Sequence, residues 1–122
     1  MTVSDKTLVV HLSSDDQIKA GKAIRFASQA LSFADKTVML FTAQGVNVVN
    51  RSSGGFTIPG TEVNSLDAIR EFLKDGGHIF IGKDCMKLQN ISAGDIIAGC
   101  EQAEPKTTFG ILLGEDSKVM SW

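Results

Sequence analysis

Short apolar runs alternate with amphipathic stretches along this chain. The run TLVVHL, residues 7–12, is rich in β-branched residues, and VMLFTA at 38–43 and HIFI at 78–81 have the same character. Continuous apolar runs of this length are typical of strands that are buried on both faces of a parallel sheet. Two weaker segments, CEQA at 100–103 and KVMSW at 118–122, complete a set of five predicted strands.

Segments with helical spacing separate these strands. Residues 18–34 place small apolar side chains on one face, which suits close packing of a helix on a sheet. A second helix is predicted over 66–73, with glycines beyond its end. Asp84 is predicted to cap a short helix, and Pro105 to open the last one. Strands that alternate with helices indicate parallel pairing and an α/β fold, a three-layer α/β/α sandwich.

The connection between the second strand and the second helix, residues 44–63, is unusually long. Loops beyond ~12–15 residues are uncommon unless they have a function. Five of its side chains are large and apolar, namely Val46, Val48, Val49, Phe56 and Ile58. We predict that residues 46–58 pack against a neighbouring subunit close to Cys85, since exposed apolar patches usually mark an interface. The alternative is that the segment folds back as a lid and buries these side chains itself.

Length and charge restrict the class of protein. A chain of 122 residues suits one domain, residues 1–122, which needs no disulfide or metal for stability. A net charge of −2 provides no basic footprint for nucleic acid, and no apolar stretch approaches the ~20 residues of a membrane helix. The first ten residues lack a signal-peptide pattern, and two cysteines without framework spacing indicate a reducing compartment. We therefore expect a cytoplasmic protein that binds neither nucleic acid nor membrane.

Cys85 is the strongest candidate for a reactive group. It follows the third strand directly, and ligands of open parallel sheets bind beyond the carboxyl ends of the strands. As the first residue of a helix capped by Asp84, its thiolate is favoured by the helix start and by Lys83 and Lys87, while Asp84 opposes it. The alternative is an inert buried thiol, which is the usual state of cysteine.

The remaining candidates are weaker. His11, near the end of the first strand, could orient or deprotonate a bound thiol, although a hydrogen-bonded core histidine is the commoner case. The polar residues 13–16 could face a ligand, but helix capping explains them adequately. Cys100 opens its predicted strand at the opposite edge, where we expect it to be inert. Because the cysteines and histidines lack zinc-ligand spacing, we expect no metal and no cofactor.

Several segments match a known pattern in order and spacing. They are KAIRFASQAL after the first polar turn, FTAQGV after the second strand, CMKLQNI after the third, then DIIAGC and the terminal EDSKVMSW. In these segments the chain resembles the DsrE/DsrF-like family of small sulfur-relay proteins over nearly its whole length. The resemblance implies one DsrE/DsrF-like domain with a five-stranded parallel sheet, and a homo-oligomer: a dimer, trimer or hexamer. It also implies that Cys85 carries sulfur as a persulfide.

Two functions of different classes follow. The first is a sulfur carrier of the sulfurtransferase type, in which Cys85 takes sulfur from a donor protein and passes it to an acceptor protein. The second is a non-enzymatic module that binds a small ligand at the carboxyl edge of the sheet, with SSDD at 13–16 and RSSGGF at 51–56 as its loops. A thiol peroxidase is a weaker third possibility, because it needs a further polar group against Cys85.

Overall fold

The computed structural model of the chain describes residues 4–122, and within them five strands alternate with four α-helices. The strands are β1 Ser4–Leu12, β2 Ala34–Phe41, β3 His78–Gly82, β4 Glu101–Ala103 and β5 Ser117–Ser121. The helices are α1 Gln17–Ala30, α2 Ser65–Lys74, α3 Lys83–Leu88 and α4 Pro105–Leu112. This alternation confirms the predicted α/β fold.

All five strands form one parallel sheet in the order β4-β3-β2-β1-β5. Strands β1 and β2 lie inside the sheet, and Val9, Val10 and Leu12 of β1 are fully buried. Because the strands are parallel, their carboxyl ends meet at one edge of the sheet. We call this the carboxyl edge. The predicted five-stranded parallel sheet is confirmed.

Helices cover both faces of the sheet. On one face, α1 and α2 pack over the main core, to which β1 and β2 contribute Val10, Leu12, Met39 and Phe41. The small residues of α1, among them Ala20, Ala23 and Ala27, are fully buried there and let the helix lie close to the sheet. On the other face, Ile111 and Leu112 of α4 pack over a smaller core of Val9, Val38 and Leu40. We call these the α1 face and the α4 face.

The long connection folds back onto the main core. Residues Ala43–Val49 and Arg51–Ser53 form short 3₁₀ helices. Val46 and Val49 are fully buried, Val48 and Ile58 are 5% and 2% exposed, and Phe56 is half-buried. The apolar side chains of residues 46–58 thus have partners within the chain, as in the alternative of a lid, and the exposed patch on which the predicted interface rested is not there. The close approach requires Gly45, where a Cβ would collide with the backbone carbonyl of Leu12.

The start of α3 also differs from the prediction. Strand β3 extends to Gly82, which is the N-cap of α3, so Asp84 lies inside the first turn and makes no capping hydrogen bond. Cys85 is consequently the third residue of the helix rather than the first. The cap of α2 is Asn64, whose side chain accepts a hydrogen bond from the Leu66 amide at 2.8 Å.

No helix within residues 4–122 combines the length and apolar character that crossing a bilayer requires.

Candidate functional site at the carboxyl edge

The thiol of Cys85 lies over the end of β3. The chain passes directly from Gly82 into α3, which folds Cys85 back towards the strand. The position in which a Cβ on Gly82 would stand is 3.1 Å from the Sγ atom of Cys85. The sulfur thus occupies the space that a side chain at residue 82 would need. Residue 82 points to the same face as Phe80, so the sulfur lies at the carboxyl edge towards the α4 face, while Cys85 also packs against the main core.

A cavity of about 170 Å³ opens beside this thiol. Its lining comes from the ends of β2, β3 and β4 and from the starts of α3 and α4: Thr42, Gly82, Lys83, Asp84, Cys85, Ala103, Pro105, Thr108 and Phe109. This volume is below the range of roughly 300–1,000 Å³ that drug-sized ligands occupy. The cavity therefore suits a small group attached to Cys85 better than a large free ligand.

Only some of the charged residues near Cys85 line the cavity. Lys83 and Asp84 line the cavity, but Nζ of Lys83 also lies 3.5 Å from Oε1 of Glu104. Both partners of this ion pair are exposed, so the pair contributes little to stability. Lys87 is exposed in the last turn of α3 and does not line the cavity. Of the two lysines predicted to assist Cys85, the structure thus brings Lys83 to the site and leaves Lys87 outside it.

His11 reaches the same cavity indirectly. Its Nε2 atom is 2.6 Å from the Thr42 hydroxyl, which lines the cavity, and its Nδ1 atom is 3.2 Å from the Ser121 hydroxyl. Burial lowers the pKa of His11 below its usual 6.5, so the imidazole is neutral at physiological pH. The structure shows a hydrogen-bonded histidine, and through Thr42 it also places this histidine next to the cavity.

Thr42 and Ser121 were not found by sequence reasoning. Thr42 was assigned to the second predicted strand without a role, and Ser121 lies in the short last strand. A usable indication existed for Thr42, because it follows a buried strand directly at the carboxyl edge. The rule that pointed to Cys85 applies to it equally. The sequence around Ser121 contains no such indication, because its position beside His11 depends on the pairing of β5 with β1.

Cys100 has a different environment. It lies just before β4, is partly buried and packs against the main core. Burial raises the pKa of the Cys100 thiol to about 12. The thiol is therefore protonated at physiological pH, and a thiol is a far weaker nucleophile than a thiolate.

A second cavity, also of about 170 Å³, lies between the two loops of the ligand-binding hypothesis. Asp15 of the first loop and Ser53, Gly55 and Phe56 of the second line it, together with Gln17, Asn47 and Val48. The Asn47 amide donates to Oδ2 of Asp15 and to Oε1 of Gln89, at 3.1 Å each. Because Gln89 ends α3, this polar cavity is connected to the helix that carries Cys85.

Capping does account for part of the first loop. The Asp16 carboxylate accepts a hydrogen bond from the Lys19 amide at 3.0 Å and is the N-cap of α1. Neither cavity suggests a metal centre. Across residues 4–122 no three His, Cys, Asp or Glu side chains come together as metal ligands would.

Comparison with known proteins shows the fold. No protein-family model matches the chain, and no curated protein matches it by sequence. Among solved structures, the YchN protein from E. coli matches with 17% identity and a TM-score of 0.75, over 97% of this chain and 99% of that chain. MTH1491 from Methanobacterium thermoautotrophicum, a protein of unknown function, matches with 15% identity and a TM-score of 0.72, over 97% and 100% of the two chains.

BT1422 from Bacteroides thetaiotaomicron, a conserved protein of unknown function, is similar in the same way. It shares 15% identity and a TM-score of 0.74, over 96% of this chain and 95% of that chain. At these identities the likeness establishes a common α/β architecture over the whole chain. Function has to be argued from the residues of this chain.

Proposed function

We propose that the protein is a sulfur carrier of the sulfurtransferase type, which holds sulfane sulfur as a persulfide on Cys85. The observation that carries this proposal is the position of the Cys85 sulfur. It lies over Gly82 at the carboxyl edge and borders a cavity of about 170 Å³ that can hold one added sulfur atom. The resemblance of the sequence to the DsrE/DsrF-like family supports the same function.

The transfer needs no external oxidant or reductant. The Cys85 thiolate attacks the outer sulfur of a donor persulfide, a new S–S bond forms at Cys85, and the donor leaves as a thiolate. In the second step an acceptor thiolate attacks the outer sulfur now on Cys85, and the Cys85 thiolate is released. The partners are therefore a donor protein that carries a persulfide and an acceptor protein with a reactive thiol.

Mass spectrometry tests the first step. After incubation with a low-molecular-weight persulfide, the protein should gain about 32 Da, the mass of one sulfur, on the peptide that contains Cys85. Cys85→Ser should abolish the gain, whereas the matched variant Cys100→Ser should retain it. Loading that persists in Cys85→Ser, or that maps to Cys100, would rule out this carrier site.

The second cavity supports an alternative function, the binding of a small polar ligand between residues 13–16 and 51–56. The observation in its favour is that these two loops, distant in sequence, meet around a polar cavity. A small molecule retained on the purified protein in native mass spectrometry, and lost in Asn47→Ala, would favour this function. Cys85→Ser should not affect such binding, which separates the two proposals.

We also propose that the protein forms a homo-oligomer in the reducing environment of the cytoplasm, where Cys85 remains a free thiol. We assign the contact to exposed apolar residues of α4, of its C-cap and of β5, and not to residues 46–58. Phe109, Leu113 and Val119 are 57%, 78% and 44% exposed. Because Phe109 also lines the Cys85 cavity, a subunit bound there would help to enclose the site.

A further inference from the structure

Three polar side chains form a hydrogen-bonded row on the α4 face of the carboxyl edge. Ser121 of β5 pairs with His11 of β1 in the sheet register, so both point to the same face. On the other side His11 pairs with Leu40, and Thr42, two residues further along, points to that face as well. The row Ser121–His11–Thr42 ends at the cavity that Cys85 lines.

The hydroxyl of Thr42 is held firmly in this position. Its backbone amide donates to the carbonyl of Leu12 at 3.0 Å, and its own carbonyl accepts from the Gly45 amide at 2.8 Å. Thr42 therefore connects the end of β2 to β1 on one side and to the packed 3₁₀ helix on the other. These bonds fix the backbone at Thr42, and its hydroxyl lies 2.6 Å from Nε2 of His11.

When the imidazole is neutral, the hydrogen bonds of the row can all run in the same donor-to-acceptor direction. A neutral imidazole has one N–H donor and one acceptor nitrogen. If Nδ1–H donates to the Ser121 hydroxyl, then Nε2 accepts the hydrogen of the Thr42 hydroxyl. The lone pairs of the Thr42 oxygen are then directed away from His11 and are available to a donor in the cavity.

We propose that His11 removes the proton from the sulfur group at Cys85 through the hydroxyl of Thr42, so that Thr42 is the positioning residue that couples the histidine to the cavity. The proposal rests on the sulfur-carrier function for its substrate, a thiol or persulfide at Cys85. The S–H bond breaks as a new O–H bond forms on Thr42, and the original Thr42 O–H bond breaks as N–H forms on His11. The products are a thiolate and an imidazolium, and no other reactant is consumed.

This arrangement explains how the sulfur can be activated without a base that contacts it. Thr42 and Cys85 line the same cavity, so a charged sulfur group that extends from Cys85 could accept a hydrogen bond from the Thr42 hydroxyl there, and a hydrogen bond to the charged form favours that form. Charged side chains on the surrounding elements are all exposed to solvent, which screens their effect on His11. They include Lys83, Asp84 and Lys87 on α3, Glu104 and Lys106 at the start of α4, Asp15 and Asp16 after β1, and Lys118 on the α1 face of β5.

The test is the rate of Cys85 alkylation by limiting iodoacetamide between pH 5 and 9, measured in a Cys100→Ser background so that one thiol remains. At neutral pH, His11→Gln and Thr42→Val should each lower the rate about two- to tenfold, the range that one hydrogen bond contributes. Both should also remove the inflection that the titration of His11 adds to the profile. Thr42→Ser, which keeps the hydroxyl, should restore the rate and the inflection.

Thr37→Val is the matched control. Thr37 is a buried threonine in the middle of β2, the strand that Thr42 follows, and among the described residues its hydroxyl has no hydrogen-bond partner. It should leave the profile unchanged. If Thr42→Val keeps the wild-type profile, or Thr37→Val shifts it equally, the relay is refuted. Should Thr42→Val fail to fold, Ser121→Ala at the exposed end of β5 replaces it and should move the inflection.

Proton NMR provides an independent reading, because the chain contains two histidines and His78 is exposed. Thr42→Val should move the titration midpoint of His11. Persulfide loading separates the two proposals. A protein that shows the relay in alkylation but takes up no sulfur contradicts the carrier function, whereas one that loads sulfur with the same profile in Thr42→Val contradicts the relay.

Discussion

At the scale of single residues, the two cysteines differ in what surrounds each sulfur. Cys85 borders an open cavity, whereas the Cys100 thiol is kept protonated by burial, which raises its pKa to about 12. We expect limiting iodoacetamide near neutral pH to label Cys85 before Cys100, because the thiolate is the reacting form. Peptide mapping by mass spectrometry measures this. Equal labelling in the folded protein would mean that the structure does not distinguish the two thiols.

His11 makes the stability of the fold depend on pH. Burial lowers its pKa in the folded state below the value of 6.5 in the unfolded chain. The unfolded chain therefore binds more protons on acidification, and the stabilising contribution is complete above about pH 6.5 and lost as the pH falls through the folded pKa. We expect urea denaturation to show a smaller decrease in the free energy of unfolding between pH 7.5 and 5 for His11→Gln than for the wild type.

The exposed His78 provides the control for this prediction. His78→Gln should follow the wild-type dependence on pH, because its side chain lies at the surface and takes no part in the contacts of His11. If the two variants respond alike, the pH dependence arises elsewhere, for instance in the carboxylates.

At the scale of elements, the apolar residues of the long connection can either pack within the chain or contact a neighbouring subunit. Val48 is 5% exposed within a 3₁₀ helix that packs on the main core. We expect Val48→Asp to lower the free energy of unfolding by about 3 kcal/mol or more, since a buried carboxylate without a partner is costly. Val63→Asp, at a position 47% exposed, should change it by less than about 0.5 kcal/mol. Urea denaturation measures both.

If Val48→Asp has the free energy of unfolding of the wild type but a lower molar mass in solution, residues 46–58 form a subunit interface after all. The sequence correctly indicated that these side chains need an apolar environment. It did not indicate which surface provides that environment, because the same valines can pack on their own sheet or on a neighbour. In the structure, residues 43–58 fold back onto the main core, which provides this apolar environment within the chain.

At the scale of the whole molecule, the exposed apolar residues of α4, of its C-cap Leu113 and of β5 form the candidate subunit contact. We expect light scattering at micromolar concentration to give a mass that is a multiple of 13.0 kDa, with closed symmetry. Leu113→Asp should reduce this mass without lowering the free energy of unfolding of the subunit, because Leu113 is 78% exposed within one chain. A mass near 13 kDa for the wild type would show that the Cys85 cavity is complete in the monomer.

The architecture could be predicted because its causes are local. Apolar runs such as TLVVHL and helical spacing in between indicate buried parallel strands, and the position of Cys85 directly after a strand places it at the carboxyl edge. The cap of α3 was wrong by two residues, because β3 extends to Gly82 and the helix starts without an acidic cap. Boundaries of this kind depend on how far the neighbouring strand continues to pair.

The sequence by itself determined the alternation of strands and helices, the burial of the central strands and the edge at which Cys85 lies, because each depends on neighbours within a few residues. Only the tertiary structure decided which polar groups meet there. His11 bonds to Thr42, 31 residues away, and to Ser121, 110 residues away, because β1 lies between β2 and β5. Strand order is set by how all helices and connections pack together, and the periodicity of a single segment contains no information about it.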